Sequence, residues 1–446
     1  IGERVNTMGK GRIPQELFDE VVEKSDIVDV ISDYVQLSKA GKNYKGLCPF
    51  HGENTPSFVV SPDKGIYKCF GCGEGGNVVS FVSSLEAISY PQAILKLAKR
   101  AGIETNIVLP SDESIQDAKF KNEFDILEFA KGFYHYYLNH TKEGKVALDY
   151  LHNRGMSDET IAKFGIGLAP SYSDALVKTL ANNRYSLDVA MKLGLLNEHN
   201  GQYYDRFKSR IMFPIFDKIG HVVGFSGRVF LEEDTHLGKY VNSPESPIFQ
   251  KGKLIYHLND AKLAIRRHNR VLLFEGFLDV ISAVEAGFVE SVATMGTALT
   301  EDHSRELRRL TDQIILCFDG DKAGLAAANK AIPILMAQNF SVSVVEIPNK
   351  MDPDEFIKTH GKEAFSKLID QAIPAVDYQY RYIKRQFNLE FVSHREQFKR
   401  QIYHFAYTLQ SHTLQELILK KLAYDISIGE QSILQEFNSS KSQVYK

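Results

Sequence analysis

Residues 15–35 (QELFDEVVEKSDIVDVISDYV) place apolar side chains at helical spacing, which predicts a helix. Residues 41–75 break that rhythm. They are rich in glycine and proline, with short β-prone runs at 57–60 (SFVV) and 66–70 (IYKCF), predicting two strands joined by the turn Ser61-Pro62-Asp63-Lys64-Gly65. Residues 77–104 return to a helical period. Asn77 is a candidate N-cap, and Ser89 before Pro91 is a second start signal. Residues 105–118 have no clear period and hold Pro110, Ser111, Asp112 and Glu113, the composition of a linker. Several helices are predicted over 119–195. Strands are predicted over 202–230, where Gly220 turns a hairpin between MFPIFD and HVVGFSGR. Glycine and proline then dominate to about residue 252.

From residue 270 strands and helices alternate: VLLFEG then LDVISAVEAG, ESVATM then EDHSRELRRL, QIILCFDGD then KAGLAAANKAIPILMA, SVSVVEIP then DEFIK. That alternation predicts a parallel sheet with helical crossovers. Residues 361–446 show only helical periods. No internal repeat is present, and the polar tail Ser439-Ser440-Lys441-Ser442 is the only low-complexity tract.

The length of 446 residues suggests roughly three domains. With 43% hydrophobic and 24% charged residues, wholesale disorder is excluded; the glycine and proline counts exclude a collagen-like chain. No apolar run reaches the roughly 20 residues of a membrane span, and no signal-peptide pattern opens the chain. A net charge of -3 means that any nucleic-acid surface must be local. Three of the four cysteines fall in one short stretch, which argues against a disulfide scaffold and for a reducing cytosol and a metal. Residues before Met8 are expected to be an upstream remnant.

Cys48, His51, Cys69 and Cys72 form a C-x2-H pair and a C-x2-C pair separated by the predicted hairpin. Two close pairs on two turns suit a tetrahedral ion, and three thiolates with one imidazole suit zinc rather than the oxygen-seeking magnesium or calcium. Four protein ligands close the shell, so one structural Zn2+ is expected. The alternative, unrelated buried cysteines and a chance histidine, fits poorly with the knuckle residues Pro49, Gly71 and Gly73. Cys317, inside IILCF, reads as a small buried apolar residue. Lys42, Lys45, Lys64 and Lys68 interleave with Tyr44, Phe50, Phe58, Tyr67 and Phe70. They form either a stacking surface for single-stranded nucleic acid or a small core with solvating lysines, and the sequence favours neither.

Three acidic clusters follow predicted strands: Glu275 with Asp279, then Asp319-Gly320-Asp321, then Asp352-Pro353-Asp354. The carboxyl ends of parallel strands line one edge of a sheet, so these acids are predicted to share a crevice. Such a cluster stays ionised only with cations, and divalent ions with oxygen ligands, such as Mg2+ bridging to phosphates, answer that need. Solvated loop acids or N-caps are the plainer reading, but three clusters at equivalent positions weigh against it. In Arg206-Phe207-Lys208-Ser209-Arg210, alternation predicts the three basic residues on one strand face. Arg228, Lys239 and Lys251 follow, which makes a phosphate-binding groove a candidate beside the bland solvated face. G-x-x-x-x-G-K-[ST] is absent, so the chain has no P-loop motor.

These residues resemble a known family. CPFHGENTPSFVVSPDKGIYKCFGCGEGGNVVSF is similar to the CHC2 zinc-binding domain of bacterial DNA primases of the DnaG type. YDRFKSRIMFPI, GFSGR and KYVNSPESPIFQKG resemble the first part of that family's RNA polymerase domain, and EGFLDV, FDGDKAG and MDPDEF its Toprim metal-binding elements. The resemblance runs from about residue 10 to the end, with all three motif groups in family order, and is nearest to Firmicutes members of the Bacillus and Staphylococcus kind.

The resemblance implies a multidomain fold: a zinc-ribbon β-hairpin with helices, an α+β N-terminal subdomain, an α/β Toprim parallel sheet and a C-terminal helical subdomain. The expected boundaries are 8–108 for the CHC2-type zinc-binding domain, 109–118 for a linker, 119–268 for the N-terminal subdomain with its basic groove, 269–358 for the Toprim subdomain and 359–446 for the helical subdomain. It implies synthesis of short RNA primers on single-stranded DNA from ribonucleoside triphosphates, in the cytoplasm at the replication fork. A 3′-hydroxyl attacks the α-phosphorus and pyrophosphate leaves, with no protein nucleophile. Glu275, Asp319 and Asp321 match the catalytic metal ligands, with Asp279, Asp352 and Asp354 in support; the cofactors are two or more Mg2+ or Mn2+ ions besides zinc. Arg154 (in YLHNRGMS), Arg206, Lys208, Arg228, Lys239 and Lys251 match the residues that hold template and nucleotides, and Arg210 lies beside them. The zinc domain is expected to choose a start trinucleotide. The segment with Glu232, Glu233 and Asp234 is longer than in some relatives, so the groove there is expected to differ. The chain is expected to stop before the family's helicase-binding domain, which would weaken coupling to the replicative helicase. Two other classes remain: a Toprim nuclease or topoisomerase, for which 21 tyrosines offer nucleophiles, and a non-catalytic DNA-binding scaffold.

Overall fold

The computed structural model describes residues 13–51, 53, 55–86, 88, 90–103, 105, 119–231, 238–409 and 411–444. Met8, Ser89, the predicted linker 109–118 and Glu232–Asp234 lie outside the described residues. The periodic segment 15–35 forms two helices, Gln15–Lys24 and Ile27–Ser32, rather than one. Asp26 causes the break. Its carboxylate accepts the Val28 and Asp29 N–H groups, which starts a new helix where a continuous one would have run on.

The predicted hairpin is present as β3 (Phe58–Ser61) and β4 (Ile66–Cys69), inside a five-stranded antiparallel sheet with β1 (Ser38–Ala40), β2 (Asn43–Gly46) and β5 (Gly75–Asn77). Gly65 turns the hairpin at φ +62°, a conformation glycine adopts without a Cβ penalty. Asn77 accepts the Ser80 N–H at 2.8 Å and caps the helix Val78–Glu86, which packs with Tyr90–Arg100 over the sheet. Phe58, Tyr67, Phe81 and Leu97 are among the residues of this module's own core.

Helices Lys121–His140, Lys142–Asn153, Asp158–Lys163, Ala175–Asn182 and Leu187–Lys192 follow, interrupted by β6 (Gly167–Ala169). A Cβ on Gly167 would stand 2.5 Å from the Tyr134 backbone, so this strand needs glycine to lie on the long helix. The hairpin β7 (Leu196–His199) and β8 (Gln202–Asp205) precedes β9 (Arg210–Phe216), β10 (Val222–Val229) and β11 (Tyr240–Asn242). These build a second sheet in the order β11-β10-β9-β6. Gly220 turns β9 into β10 at φ +103°, as the sequence predicts.

The third sheet joins β12 (Val271–Phe274), β13 (Ser291–Ala293), β14 (Gln313–Leu316) and β15 (Ser341–Val344) in the order β13-β12-β14-β15, all parallel. Alternate side chains feed opposite cores. Leu272 and Phe274 pack on one face; Val271, Leu273, Leu316 and Val344 pack on the other with Leu258, Ala261 and Ile265 of the helix Leu258–His268. The first of these cores also takes in Leu138, Leu151, Ile211 and Phe213, so the α+β and parallel-sheet parts share one interior. A short antiparallel strand, β16 (Ile373–Pro374), edges the sheet within a span whose sequence shows only helical periods. Helices Ala375–Lys384, Val392–Thr408, His412–Ile426 and Glu430–Val444 follow, with a separate core containing Phe398, Leu422 and Phe437. Among the described residues, no single helix is long and apolar enough to cross a membrane.

Candidate active site and zinc centre

The ligand atoms of Cys48, His51, Cys69 and Cys72 all lie within 4.8 Å of one another. Cys48 Sγ is 3.9 Å from Cys72 Sγ, and Cys69 Sγ is 3.7 Å from His51 Nδ1. Zinc–sulfur bonds of about 2.3 Å in a tetrahedron put sulfur atoms about 3.8 Å apart, so the donor set fits zinc. Gly71 and Cys72 point backbone N–H groups at Cys69 Sγ, and Phe50 points its own at Cys48 Sγ, the turns expected of two knuckles. Burial pushes the Cys48 thiol well above its ordinary range, so its thiolate needs a cation beside it. A Cβ on Gly71 would stand 2.6 Å from His51 Nε2, which explains the glycine.

Sequence reasoning missed Glu53. Its carboxylate lies 3.3 Å from His51 Nε2 and accepts the Cys48 and Ser57 N–H groups at 2.8 and 3.0 Å. It thereby turns Nδ1 toward the thiols and braces the first knuckle against Ser57, whose hydroxyl lies 3.2 Å from Cys69 Sγ in the second. Its position two residues after the ligand histidine was the available signal. Phe50, Phe58 and Tyr67 pack with Phe81 at centroid separations of 5.3 to 6.2 Å, so these rings are core. Phe70, 75% exposed, remains open for stacking.

Glu275, Asp319 and Asp352 follow β12, β14 and β15, which are neighbours in the sheet, and all three line one cleft of about 620 Å3. The Asp319 N–H donates to Glu275 Oε1 at 3.3 Å. Burial and the nearby Asp319 carboxylate push Glu275 up to about 7; burial and Asp352 push Asp319 up to about 6. Burial, with Asp319 and Asp352, drives Asp279 well above the usual carboxylate range. This concentration of negative charge fits divalent cations with oxygen ligands. Asp321 accepts the Gly324 N–H at the start of the helix Lys322–Ala337, and Asp352 accepts the Glu355 N–H at the start of Pro353–Asp370, a helix broken at Gly361. The capping role and the clustered-acid role therefore coexist in Asp352, whereas Asp321 is an exposed helix cap next to Asp319 that does not line the cleft. Asp354 is engaged differently: Arg154 Nη2 and Lys358 Nζ reach it at 2.6 and 2.5 Å.

Arg154, Arg228 and Lys239 line the same cleft as the acids. Arg228 Nη1 donates to the Tyr240 hydroxyl at 2.7 Å, and Lys239 Nζ lies 5.8 Å from that ring's centroid. The predicted common face of Arg206, Lys208 and Arg210 is not formed. β8 ends at Asp205, Ser209 takes φ +48°, and β9 begins only at Arg210, so alternation does not carry through. Arg206 sits just behind the cleft, donating to the Asn242 carbonyl at 3.4 Å, while Lys208 is exposed. Arg210 is buried, with its guanidinium on the Gly227 and Gly238 carbonyls, which gives it a structural place rather than one in the groove. Lys251 does not line the cleft; its N–H donates to Glu245 and its carbonyl meets His303.

Ser226, Tyr240 and Asn242, cross-strand neighbours on β10 and β11, line the cleft and were not singled out from the sequence. Their only signal was membership of GFSGR and KYVNSPES. Ser226 Oγ, Asn242 Oδ1 and the Nε atoms of Arg154 and Arg228 are buried with no hydrogen-bond partner among the described residues. Buried polar atoms left unpaired around one cleft suit a polar ligand.

Comparison with known proteins agrees with this geometry. Residues 13–113 match the CHC2 zinc finger family, residues 133–262 the N-terminal domain of the DNA primase catalytic core, and residues 272–357 the Toprim-like family. The DNA primase of Geobacillus stearothermophilus is 43% identical over 436 residues, covering 96% of this chain and 72% of its own length. That of Listeria monocytogenes is 40% identical over 440 residues, 96% of this chain and 70% of the relative. Among solved structures, the Aquifex aeolicus primase (zinc binding and RNA polymerase domains) matches with a TM-score of 0.59 and 34% identity, over 95% of this chain and 100% of its own. The E. coli primase catalytic core matches with a TM-score of 0.60 and 32% identity, over 69% of this chain and 98% of its own. With CHC2 zinc-finger, primase-core and Toprim-like matches following one another along the chain and a relative 43% identical over 72% of its own length, the chain belongs to the DnaG-type bacterial DNA primases, the DNA-directed RNA polymerases that make RNA primers for replication.

Proposed function

We propose that the cleft between the acids and Arg154, Arg228 and Lys239 is where this primase joins ribonucleotides on a single-stranded template. The observation that carries this is the convergence of Glu275, Asp319 and Asp352 from three adjacent strands into one cavity that guanidinium and ammonium groups also line. A structure of a related catalytic domain, 32% identical, is described as bound to ssDNA, which supports the template as ligand. Glu275, Asp319 and Asp321 hold two or more Mg2+ or Mn2+ ions, with Asp279 and Asp352 shaping the acid edge. When bound, such ions lower the pKa of the attacking 3′-hydroxyl and neutralise charge on the triphosphate.

The protein's own groups supply the rest. Arg154, Arg228 and Lys239 hold the triphosphate so that its α-phosphorus faces the primer 3′-oxygen. The new O–P bond forms as the bond to pyrophosphate breaks, and these cations stabilise the departing charge. Tyr240, held by Arg228 and packed edge-on against Phe277, offers a ring face beside them. Arg206, Lys208 and Lys251 contact the nucleic acid outside the cleft. One Zn2+ on Cys48, His51, Cys69 and Cys72 holds the module that selects the start site, with Phe70 exposed for stacking. The proposed units are 8–108, 109–118, 119–268, 269–358 and 359–446, acting in the cytoplasm with the replicative helicase as a partner of the whole protein.

The test is primer synthesis on single-stranded DNA with ribonucleoside triphosphates and Mg2+, scored for products of about ten nucleotides. Asp319→Asn should abolish products and leave template binding nearly intact. Products at the parental level from that variant would refute the assignment of the acids.

A further inference from the structure

Asp354 belongs to the acid-rich edge by sequence, yet its surroundings differ from those of Glu275 and Asp319. It is 5% exposed. Arg154 Nη2 reaches Oδ2 at 2.6 Å, Lys358 Nζ reaches Oδ1 at 2.5 Å, and the buried Ser282 hydroxyl also donates to Oδ1. Its backbone N–H donates to Asp279 Oδ1 at 3.1 Å, which fixes the residue from behind. Both oxygens are thus taken by two cations and a hydroxyl from three helices: Lys142–Asn153, whose C-cap is Arg154, Phe277–Glu285 and Pro353–Asp370. Among the described residues, Glu275 accepts only a 3.3 Å contact from the Asp319 N–H. A carboxylate neutralised by two basic groups offers a metal ion little, whereas it holds a guanidinium firmly in place.

Arg154 needs such a holder. Burial works against its charge, Asp354 offsets this, and the net result lies above the ordinary arginine value. One terminal nitrogen is spent on Asp354, while Nε is buried and unpaired beside the cleft. We infer that Asp354, anchored by Ser282 and shared with Lys358, is a positioning residue that aims the Arg154 guanidinium at the nucleotide triphosphate, and is not a metal ligand. Ser282 on the buried side of the Phe277–Glu285 helix is then part of the nucleotide-binding apparatus although it touches no nucleotide. This rests on the reading that Arg154 binds the triphosphate.

The experiment uses the whole chain and two equilibrium readouts: ATP binding to the protein–template complex in Mg2+, and Mn2+ binding followed by electron paramagnetic resonance. Arg154→Ala should weaken ATP binding about tenfold. Asp354→Asn should weaken it by a similar factor, and the double variant should be no worse than either single one, because both break the same interaction. Ser282→Ala, which leaves the ion pairs in place, should weaken ATP binding about threefold and serves if Asp354→Asn does not fold. Mn2+ binding should stay at the parental level in Asp354→Asn and Ser282→Ala, and fall in Asp319→Asn. Loss of Mn2+ affinity in Asp354→Asn, additive effects in the double variant, or parental ATP binding in Ser282→Ala would each overturn the inference. Parental ATP binding in Arg154→Ala would instead overturn the underlying reading of the cleft.

Discussion

Single side chains decide what each centre can do. Glu53 holds His51, Cys48 and Ser57 through one carboxylate, so Glu53→Ala should lower zinc affinity about 10- to 100-fold with all four ligands intact, measured by competition with a chromogenic chelator. Glu275 carries a pH signature. Its folded-state value of about 7 exceeds the ordinary 4.5, so the native state holds the proton more tightly than the unfolded chain does. Its contribution to stability is therefore complete below the unfolded value and is lost as pH rises through the folded one. In magnesium-free buffer, Glu275→Gln should gain thermal stability relative to the parent on going from about pH 5 to about pH 8. Added Mg2+ at the higher pH should stabilise the parent and not the variant. Equal pH profiles for both proteins would contradict the origin assigned to this shift.

At the level of elements, the acid edge depends on tight turns after the strands. Gly320 donates its N–H to the Met351 carbonyl, and a Cβ there would stand 2.4 Å from the Ile347 carbonyl oxygen. A Cβ on Gly324 would stand 2.2 Å from the Asp319 carbonyl oxygen. Both obstacles are backbone and cannot rotate away. Gly324→Ala should cost about 1–3 kcal/mol in thermal or urea unfolding. It should also cut primer synthesis at least about tenfold by moving Asp319, with template binding retained. The β-α alternation from residue 270 was fully legible, because four buried strands alternate with amphipathic helices. The strands β5 and β6 were not. Each holds glycine, which has low strand propensity, and each exists because glycine lets it approach β4 or the Lys121–His140 helix closely.

Across the whole molecule, the zinc module has its own core while the α+β and parallel-sheet parts share theirs. Loss of zinc should therefore unfold only the first part. Cys69→Ser should add a low-temperature transition in calorimetry, leave the main transition near its parental position, and remove initiation at preferred template sites. A single transition shifted as a whole would mean that the module is coupled to the catalytic core.

The sequence by itself determined the chemistry: two metal-knuckle pairs at fixed spacing, and acids placed just after apolar strands. Both are local patterns, set by the reach of a turn and by the pleat of a strand, so neighbours along the chain suffice to read them. Only the tertiary structure decided how each charged group is used. It turned Arg210 inward onto carbonyls because the strand expected through 206–210 is interrupted at Ser209. It gave Asp354 to Arg154, 200 residues away, rather than leaving it open beside Asp319. Charge partners are set by which surfaces the packed cores press together, and no periodicity along the chain encodes that.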